Sequence, residues 1–253
     1  MRIAGEVAVV TGGGSGLGAG AARVLAAAGA RVALLDVNLA GAEAVAAELG
    51  GLALRCDVAD EASARAALDE VAARLGPARI LVNCAGIGPS ARIAGRDGPH
   101  DLALFRKVVE VNLVGTFNMM RLAAARMQDL PALEDGERGV VVMTASVAAF
   151  EGQVGQAAYA ASKGGVAALT LPAARELARA GIRVATIAPG TFDTPMLATV
   201  SQEVRDSLAR QVPFPPRLGR PEEYGSLVRF ICENPLLNGE TIRLDGAIRM
   251  GPR

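Results

Sequence analysis

Apolar and polar positions come in blocks along most of the chain. Short runs rich in Val, Ile and Leu are each followed by a longer, Ala-rich stretch with helical spacing. Continuous apolar runs of about four to eight residues are typical of strands that are buried on both faces of a parallel sheet. The pattern predicts strands at 7–11, 31–36, 52–57, 80–85, 140–146, 183–188 and 240–245, and helices at 17–28, 40–49, 60–75, 101–127, 157–180 and 221–232.

This alternation of strands and helices predicts an α/β fold. About seven parallel strands should form one sheet with helices on both faces, the doubly wound or Rossmann arrangement. No linker, repeat or low-complexity stretch divides residues 1–253, so we expect a single domain. Segments 87–100 and 190–220 do not fit the alternation and contain glycines and prolines. Loops of a doubly wound fold lie over the carboxyl ends of the strands, where ligands bind, so both segments are predicted to be substrate lids.

Composition narrows the classes of function. The chain has 26 basic and 26 acidic residues, and a net charge of zero offers no electrostatic attraction to nucleic acid or an anionic membrane. Three widely spaced cysteines and one histidine argue against a disulfide framework, a metal site and a Ser-His-Asp hydrolase. No apolar run approaches about 18 residues without a charge or turn former. The N-terminus runs directly into the first strand, so we expect no targeting peptide and a cytoplasmic location.

The glycine-rich segment at 11–18, TGGGSGLG, follows the first predicted strand and opens the first predicted helix. Glycines let the backbone turn sharply and approach a pyrophosphate, which binds at the N–H groups of the helix N-terminus. The segment predicts a dinucleotide site that includes Gly12, Ser15, Gly16, Leu17 and Gly18. The alternative is a glycine-rich turn with a purely structural purpose.

Asp36 ends the second predicted strand, and no Arg or Lys follows it at 37–39. A carboxylate at this place can accept hydrogen bonds from both hydroxyls of an adenosine ribose, and it repels a 2′-phosphate. Asp36 therefore predicts NAD rather than NADP as the cofactor. A strand-end aspartate that caps the next helix is the alternative.

Ser146, Tyr159 and Lys163 carry the candidate chemistry. Tyr159 and Lys163 are four residues apart and share one face of a helix. A phenol has a pKa of about 10, and an adjacent cation favours the phenolate, which could then act as a base. A serine hydroxyl can donate to a substrate oxygen while the tyrosine exchanges its proton. An ordinary helix surface is the alternative, and Tyr224, far from any motif, is predicted to be a core or interface residue.

Taken in order, these motifs resemble the short-chain dehydrogenase/reductase family over essentially the whole chain. The resemblance rests on the glycine-rich segment, Asp57-Val58, Asn83-Cys84-Ala85-Gly86, Asn112, the Ser146/Tyr159/Lys163 set and Pro189-Gly190 with Thr194. It implies that Tyr159 is the acid/base and that Ser146 holds the reacting oxygen. It further implies that Lys163 lowers the tyrosine pKa and binds the nicotinamide ribose, while Asn112 holds a water near Lys163 for proton relay.

The same resemblance implies the remaining cofactor contacts. Asp57 and Val58 would meet the adenine, and Asn83, Ala85 and Gly86 would line the path of the cofactor. Pro189 and Thr194 are also assigned to cofactor binding, with Thr194 at the nicotinamide carboxamide.

Within the family, segments 145–156, 211–215 and 238–250 are similar to the type-2 3-hydroxyacyl-CoA dehydrogenases. This resemblance implies NAD-dependent oxidation of a 3-hydroxyacyl-CoA to the 3-oxoacyl-CoA, with hydroxysteroids or other secondary alcohols as alternative substrates. A 3-oxoacyl-carrier-protein reductase that uses NADPH is a second candidate, and a non-catalytic dinucleotide-sensing protein is a third. The tail at 247–250 resembles a segment that packs between subunits, which implies a homotetramer. Candidates to meet the CoA phosphates lie in or near the lid segments: Arg92, Arg96, Arg205, Arg210, Arg217 and Arg220.

Overall fold

One parallel sheet organises the molecule, as the alternation of strands and helices predicts. A computed structural model describes residues 1–96, 98–197 and 201–252, except for the Met196 side chain. The strands are β1 (Val7–Thr11), β2 (Arg31–Asp36), β3 (Leu52–Arg55), β4 (Ala78–Asn83), β5 (Ala94–Gly95), β6 (Gly98–Pro99), β7 (Gly139–Thr144), β8 (Ile182–Pro189) and β9 (Thr241–Leu244). Seven of them form the sheet in the order β3-β2-β1-β4-β7-β8-β9, and β5 and β6 pair separately as a short antiparallel hairpin. The predicted doubly wound α/β fold is confirmed.

Helices cover both faces of the sheet. They are α1 (Gly16–Ala27), α2 (Leu39–Leu49), α3 (Glu61–Leu75), α4 (Leu102–Val109), α5 (Gly115–Met127), α6 (Ala157–Leu177), α7 (Gln202–Arg210) and α8 (Pro221–Glu233). Helices α1, α2 and α8 contribute to one core cluster, and α3, α5 and α6 contribute to the other. Val7 and Val9 of β1 enter the second cluster while Ala8 and Val10 enter the first, because successive side chains of a strand point to opposite faces. None of the helices in the described ranges is both long and apolar enough to span a membrane.

The carboxyl edge of the sheet has a switch point between β1 and β4. The chain passes from β1 outward to β2 and β3, and then returns to β4 on the other side of β1. Loops that leave β1 and β4 therefore diverge and leave a crevice, which is where doubly wound folds bind ligands. Strands β3, β4 and β7 end earlier than predicted, so Asp57, Ala85 and Ser146 lie in loops at this edge rather than in strands.

The helix predicted at 101–127 is present as one helical run, which changes from α to π type around Asn112. A π-helical turn at Glu110–Val114 separates α4 from α5. Asn112 lies in this turn and its side chain bonds to both backbone groups of Ile87, accepting from N at 2.8 Å and donating to O at 2.9 Å. Single π turns of this kind are frequent at functional sites because they re-aim one side chain. Here the turn directs Asn112 to the loop that follows β4.

Candidate active site

The glycine-rich segment packs too closely to admit side chains at several of its glycines. Gly12 has a φ of 63°, and a Cβ added there would lie 2.8 Å from the backbone N of Ala85. A Cβ added at Gly18 would lie 2.1 Å from the carbonyl O of Gly12. Ser15 occupies the N-cap position of α1 and, within the described part of the chain, makes no capping bond with its side chain. The first N–H groups of a helix have no intrahelical partner, so they and Ser15 can receive an anionic group.

Asp36 holds the glycine-rich segment to the end of β2. Its Oδ2 accepts from the backbone N of Gly14 at 3.0 Å, and its Oδ1 accepts from the backbone N of Asn38 at 2.9 Å. The cap of α2 is Asn38, whose side chain accepts from the Gly41 N–H. Asp36 therefore has a structural role in joining these two segments, but it does not cap the next helix. An ionised carboxylate has about four acceptor sites, so both oxygens keep capacity for a ligand.

The loop after β4 is held by a residue that sequence reasoning had not assigned to the site. The hydroxyl oxygen of Thr11 accepts from the backbone N–H groups of Cys84 and Ala85, each at 3.2 Å. A Cβ added at Gly86 would lie 3.2 Å from Asn112 Oδ1 and 3.5 Å from Lys163 Nζ. The predicted cofactor path at Ala85 and Gly86 therefore runs directly past the candidate catalytic groups. The available signal for Thr11 was its position as the first residue of the glycine-rich motif.

Asn83 ends β4 beneath this loop. Its side-chain N donates to the carbonyl of Thr116 at 3.3 Å. Its Oδ1 is buried and finds no partner among the described residues. An unpartnered buried acceptor is costly, and Asn83 was predicted to line the cofactor path. That role stays a prediction.

The predicted adenine and carboxamide contacts lie at opposite ends of the crevice. Asp57 accepts from the backbone N of Ala59 at 3.0 Å, and Val58 is buried against Gly115 at the start of α5. Pro189 ends β8, and Thr194 lies in the loop that follows. This loop returns to the glycine-rich segment, because a Cβ added at Gly16 would lie 3.4 Å from the Thr194 side chain. The loop after β8 therefore approaches the start of α1, as the predicted role of Thr194 requires.

Ser146, Tyr159 and Lys163 meet at the carboxyl end of β7. Ser146 opens a short 3-10 turn at Val147–Ala149, and its Oγ accepts from the backbone N of Ala148 at 3.1 Å. Tyr159 and Lys163 are one turn apart on α6, and Lys163 Nζ lies 5.7 Å from the centre of the tyrosine ring. The ammonium donates to the backbone carbonyl of Thr144 at 2.8 Å.

Burial is the largest influence on the pKa values of both Tyr159 and Lys163. Burial raises the pKa of Tyr159 above its ordinary value of 10, and the Ser146 hydroxyl beside it acts in the opposite direction. Burial lowers the pKa of Lys163 to about 8, with the Cys84 thiol opposing that shift. Burial outweighs the effect of Ser146 on Tyr159, and the lowering of the Tyr159 pKa by Lys163 stays a prediction.

Asn112 reaches the catalytic helix through a second residue that sequence reasoning missed. Its Nδ2 donates to Ser162 Oγ at 3.0 Å, and that hydroxyl donates to the backbone carbonyl of Tyr159 at 2.7 Å. Ser162 is fully buried next to Lys163, and its position directly before the lysine was the only signal for it. The side-chain N of Asn112 therefore bonds to protein groups, and the predicted role of Asn112 in holding a water stays a prediction.

A cleft of about 450 Å³ opens beside the start of α6. Its size is within the usual range for a ligand site. Segment 87–100 and the loop before α6 form its walls, through Arg92, Ile93, Ala94, Gly152, Gln153, Val154, Gly155, Gln156, Ala157 and Ala160. None of the described residues of the other predicted lid, 190–220, lines this cleft. Of the six candidate arginines Arg92 lines the cleft, while Arg205 pairs with Asp193 and Arg217 pairs with Glu223.

Comparison with known proteins gives the family of the chain. The family model described as short chain dehydrogenase matches residues 6–205. The chain belongs to the short-chain dehydrogenase family. This short-chain dehydrogenase is 52% identical over 254 residues to the Rattus norvegicus protein named 3-hydroxyacyl-CoA dehydrogenase type-2, with 99% of this chain and 97% of the relative covered. The human protein named (3R)-3-hydroxyacyl-CoA dehydrogenase is 34% identical over 264 residues, with 98% and 97% covered.

A solved structure supports the same conclusion. The crystal structure of 3-hydroxyacyl-CoA dehydrogenase type-2 from Mycobacterium avium matches with a TM-score of 0.93 and 45% identity, covering 98% of both chains. The short-chain dehydrogenase is therefore an oxidoreductase that uses a nicotinamide dinucleotide, and the predicted family and enzyme class are confirmed. The reading as a non-catalytic sensing protein is set aside.

Proposed function

We propose that the protein oxidises 3-hydroxyacyl-CoA to 3-oxoacyl-CoA with NAD as the hydride acceptor. The observation that carries the proposal is the likeness, at 52% identity over nearly the whole chain, to a protein named 3-hydroxyacyl-CoA dehydrogenase type-2. The convergence of Ser146, Tyr159 and Lys163 at the end of β7 supports it. A cleft of about 450 Å³ lies beside the start of α6, although none of these three residues lines it. Lower-identity relatives carry other substrate names, so the substrate is the part of the proposal that needs measurement.

The residues at the switch point fit a nicotinamide dinucleotide. When bound, NAD supplies the acceptor for the hydride that leaves the carbinol carbon. Gly12 and Gly18 have no Cβ, so the backbone can turn closely enough to approach a pyrophosphate. Residues 15–18 would hold that pyrophosphate at the start of α1. Asp36 has acceptor capacity left for the adenosine ribose, which supports NAD over NADP. Lys163 would bind the nicotinamide ribose and Thr194 the carboxamide.

The proton steps belong to three side chains of α6 and the loop before it. Ser146 donates a hydrogen bond to the substrate oxygen, and Tyr159 Oη takes the hydroxyl proton as the C–O bond becomes a carbonyl. Tyr159 must be a phenolate to take this proton; burial raises its pKa, and the positive charge of Lys163 one turn away favours the phenolate. The phenol that each oxidation forms must release its proton before the next. Above a pH of about 8 the charge of Lys163 is lost as its ammonium deprotonates.

The CoA arm is assigned to the cleft beside α6, where Arg92 is the basic residue of the lining. Binding energy from a remote arm can be used at the reacting carbon, so removal of the arm should lower turnover as well as affinity. We expect kcat/KM for 3-hydroxybutyryl-CoA to exceed that for free 3-hydroxybutyrate at least about tenfold, which corresponds to about 1.4 kcal/mol. The N-acetylcysteamine thioester, which keeps the thioester and lacks the nucleotide, should fall between the two.

Initial rates with NAD and NADP test these assignments. Arg92→Gln should raise KM for the CoA thioester and leave the N-acetylcysteamine thioester unaffected. Arg96→Gln is the matched control, since Arg96 is an exposed residue of the same segment outside the cleft lining. Equal rates on the free acid, or good steroid turnover without acyl-CoA turnover, would instead identify a hydroxysteroid or general secondary-alcohol dehydrogenase. Preference for NADPH and for carrier-protein substrates would identify a 3-oxoacyl-carrier-protein reductase.

The homotetramer also stays a proposal, and its original argument is weakened by the tail. Ile248 is buried within its own subunit, and the backbone N of Met250 donates to Glu151 at 2.9 Å. Support comes instead from Val114 and Phe117, apolar residues near the start of α5 that are 40% and 46% exposed. Light scattering should give about four times the 25.8 kDa of one chain, and the mass of a single chain would contradict the proposal.

The cytoplasmic location stays a prediction for cell fractionation to test.

A further inference from the structure

A buried polar cluster lies behind Lys163 and is not used by the proposed chemistry. Tyr224 of α8 is fully buried, and its hydroxyl lies 2.7 Å from Thr144 Oγ1 and 3.4 Å from Cys84 Sγ. Thr144 is the last residue of β7, and Cys84 follows β4. Three elements that are distant in sequence therefore place hydroxyl and thiol groups together under the carboxyl edge of the sheet.

The chemistry of the groups sets the direction of each hydrogen bond. Thr144 Oγ1 also bonds to the backbone carbonyl of Asn83, which can only accept, so the threonine donates its single proton there. Thr144 must then accept from Tyr224, and Tyr224 in turn accepts from the thiol of Cys84. Burial raises the pKa of both Tyr224 and Cys84, so both groups keep their protons at neutral pH. Every proton of the cluster has an acceptor.

Thr144 connects this cluster to the candidate catalytic lysine. Its side chain is held by Tyr224 and the Asn83 carbonyl, while its own backbone carbonyl accepts from Lys163 Nζ at 2.8 Å. We propose that Tyr224 is a positioning residue for Lys163, acting by anchoring the Thr144 carbonyl that holds the ammonium. The inference rests on the catalytic role of Lys163 in the proposed function.

The anchor matters because the ammonium is buried, with 4% of Lys163 exposed. A hydrogen bond to an ionised group is about twice as strong as a neutral one and depends on geometry, so a displaced carbonyl stabilises the charge less. The titratable groups around the ammonium are Tyr159 on its own helix, Cys84 after β4 and Tyr224 behind Thr144. Loss of the Tyr224 hydroxyl should therefore move the pKa of Lys163 further below its ordinary value.

The composition of the chain makes this pKa directly measurable. Lys107 and Lys163 are the only lysines, and Lys107 is exposed. After labelling with lysine that carries ¹³C at Cε, an NMR titration should give two resonances, and Lys107→Arg identifies which of them belongs to Lys163. The measurement needs neither substrate nor turnover.

Four variants then separate positioning from general destabilisation. Tyr224→Phe should lower the midpoint of Lys163 by at least about 0.5 pH unit, and the alkaline limb of kcat/KM should move with it. Ile231→Val removes a methyl group from the same buried face of α8 without touching the cluster, and it should leave the midpoint unchanged. Thr144→Ser keeps the hydroxyl and should also keep the wild-type midpoint, whereas Thr144→Val should not.

Each outcome decides between the two proposals. A Lys163 midpoint that is equal in wild type and Tyr224→Phe, or that moves equally in Ile231→Val, would overturn the positioning role. If the midpoint moves as expected while acyl-CoA is not a substrate, the positioning role stands and the substrate assignment fails. If acyl-CoA is turned over and the midpoint does not move, only the role of Tyr224 is lost.

Discussion

The two ends of the crevice are built in different ways. At the dinucleotide end, backbone groups dominate: Gly12 and Gly18 pack against neighbouring backbone atoms, and both oxygens of Asp36 accept from backbone N–H groups. At the catalytic end, ionisable side chains dominate. The ammonium of Lys163 is buried and donates to the Thr144 carbonyl, and burial raises the pKa of Tyr159 and lowers the pKa of Lys163. The first end is shaped by close packing, and the second depends on desolvation.

This difference predicts how each end responds to substitution. Changes at the dinucleotide end should alter which cofactor binds and how tightly, because they alter hydrogen bonds and space. Changes at the catalytic end should alter rate and its dependence on pH, because they alter the free energy of charged forms. Three measurements test the contrast.

The largest effect is expected for Tyr159→Phe. The substitution removes one oxygen atom and leaves the packing of α6 intact, so loss of general acid–base catalysis should reduce kcat about 10²–10⁴-fold. NAD affinity, measured by titration calorimetry, should stay within a few-fold of wild type because the dinucleotide end is untouched. A variant that retains more than about a tenth of wild-type turnover would contradict the assignment of Tyr159.

Substitution of Asp36 should change cofactor choice. Asp36→Ala should weaken NAD binding, because each lost charge-assisted hydrogen bond is worth about 1.5–3 kcal/mol, or about 10–150-fold in affinity. The same variant should bind NADP better relative to NAD. Asp36→Asn is the comparison variant: its one amide oxygen can still accept from the Gly14 N–H, while the charge and the acceptor for the Asn38 N–H are lost. If Asp36→Asn binds NAD as wild type does, the role of Asp36 is to hold the loop, and a wild-type preference for NADP would refute the NAD assignment.

The smallest effect concerns the stability of the catalytic end. The pKa of Lys163 is about 8 in the folded protein against an ordinary 10.5, so between these values the unfolded chain binds more protons and wild-type stability rises with pH. Lys163→Met has no ammonium at this position and lacks this pH dependence. The free energy of unfolding of wild type relative to Lys163→Met should therefore increase by up to about 1.4 kcal/mol per pH unit between about pH 8 and 10.5.

Urea unfolding at pH 7 and pH 10 measures this difference. Lys107→Met is the control, because an exposed lysine should leave the difference from wild type independent of pH. A Lys163→Met difference that stays constant across this range, or that changes in the opposite direction, would show that burial does not govern Lys163.

Much of this protein follows from the sequence alone, because the features concerned are local. Hydrophobic runs predicted the seven strands of the sheet to within a few residues, since burial on both faces requires continuous apolar side chains. The spacing of the glycine-rich segment predicted a turn that excludes side chains at Gly12 and Gly18. The four-residue spacing of Tyr159 and Lys163 placed the two groups one helical turn apart.

Only the tertiary structure decided features that join distant residues. Thr144 and Tyr224 bond across 80 positions of sequence, and neither belongs to a motif. Asn112 in the π turn bonds through its side chain to Ile87, 25 positions away. The net direction of the Tyr159 pKa shift follows from burial, which depends on all the atoms packed around the group, and spacing along a chain carries no information about them.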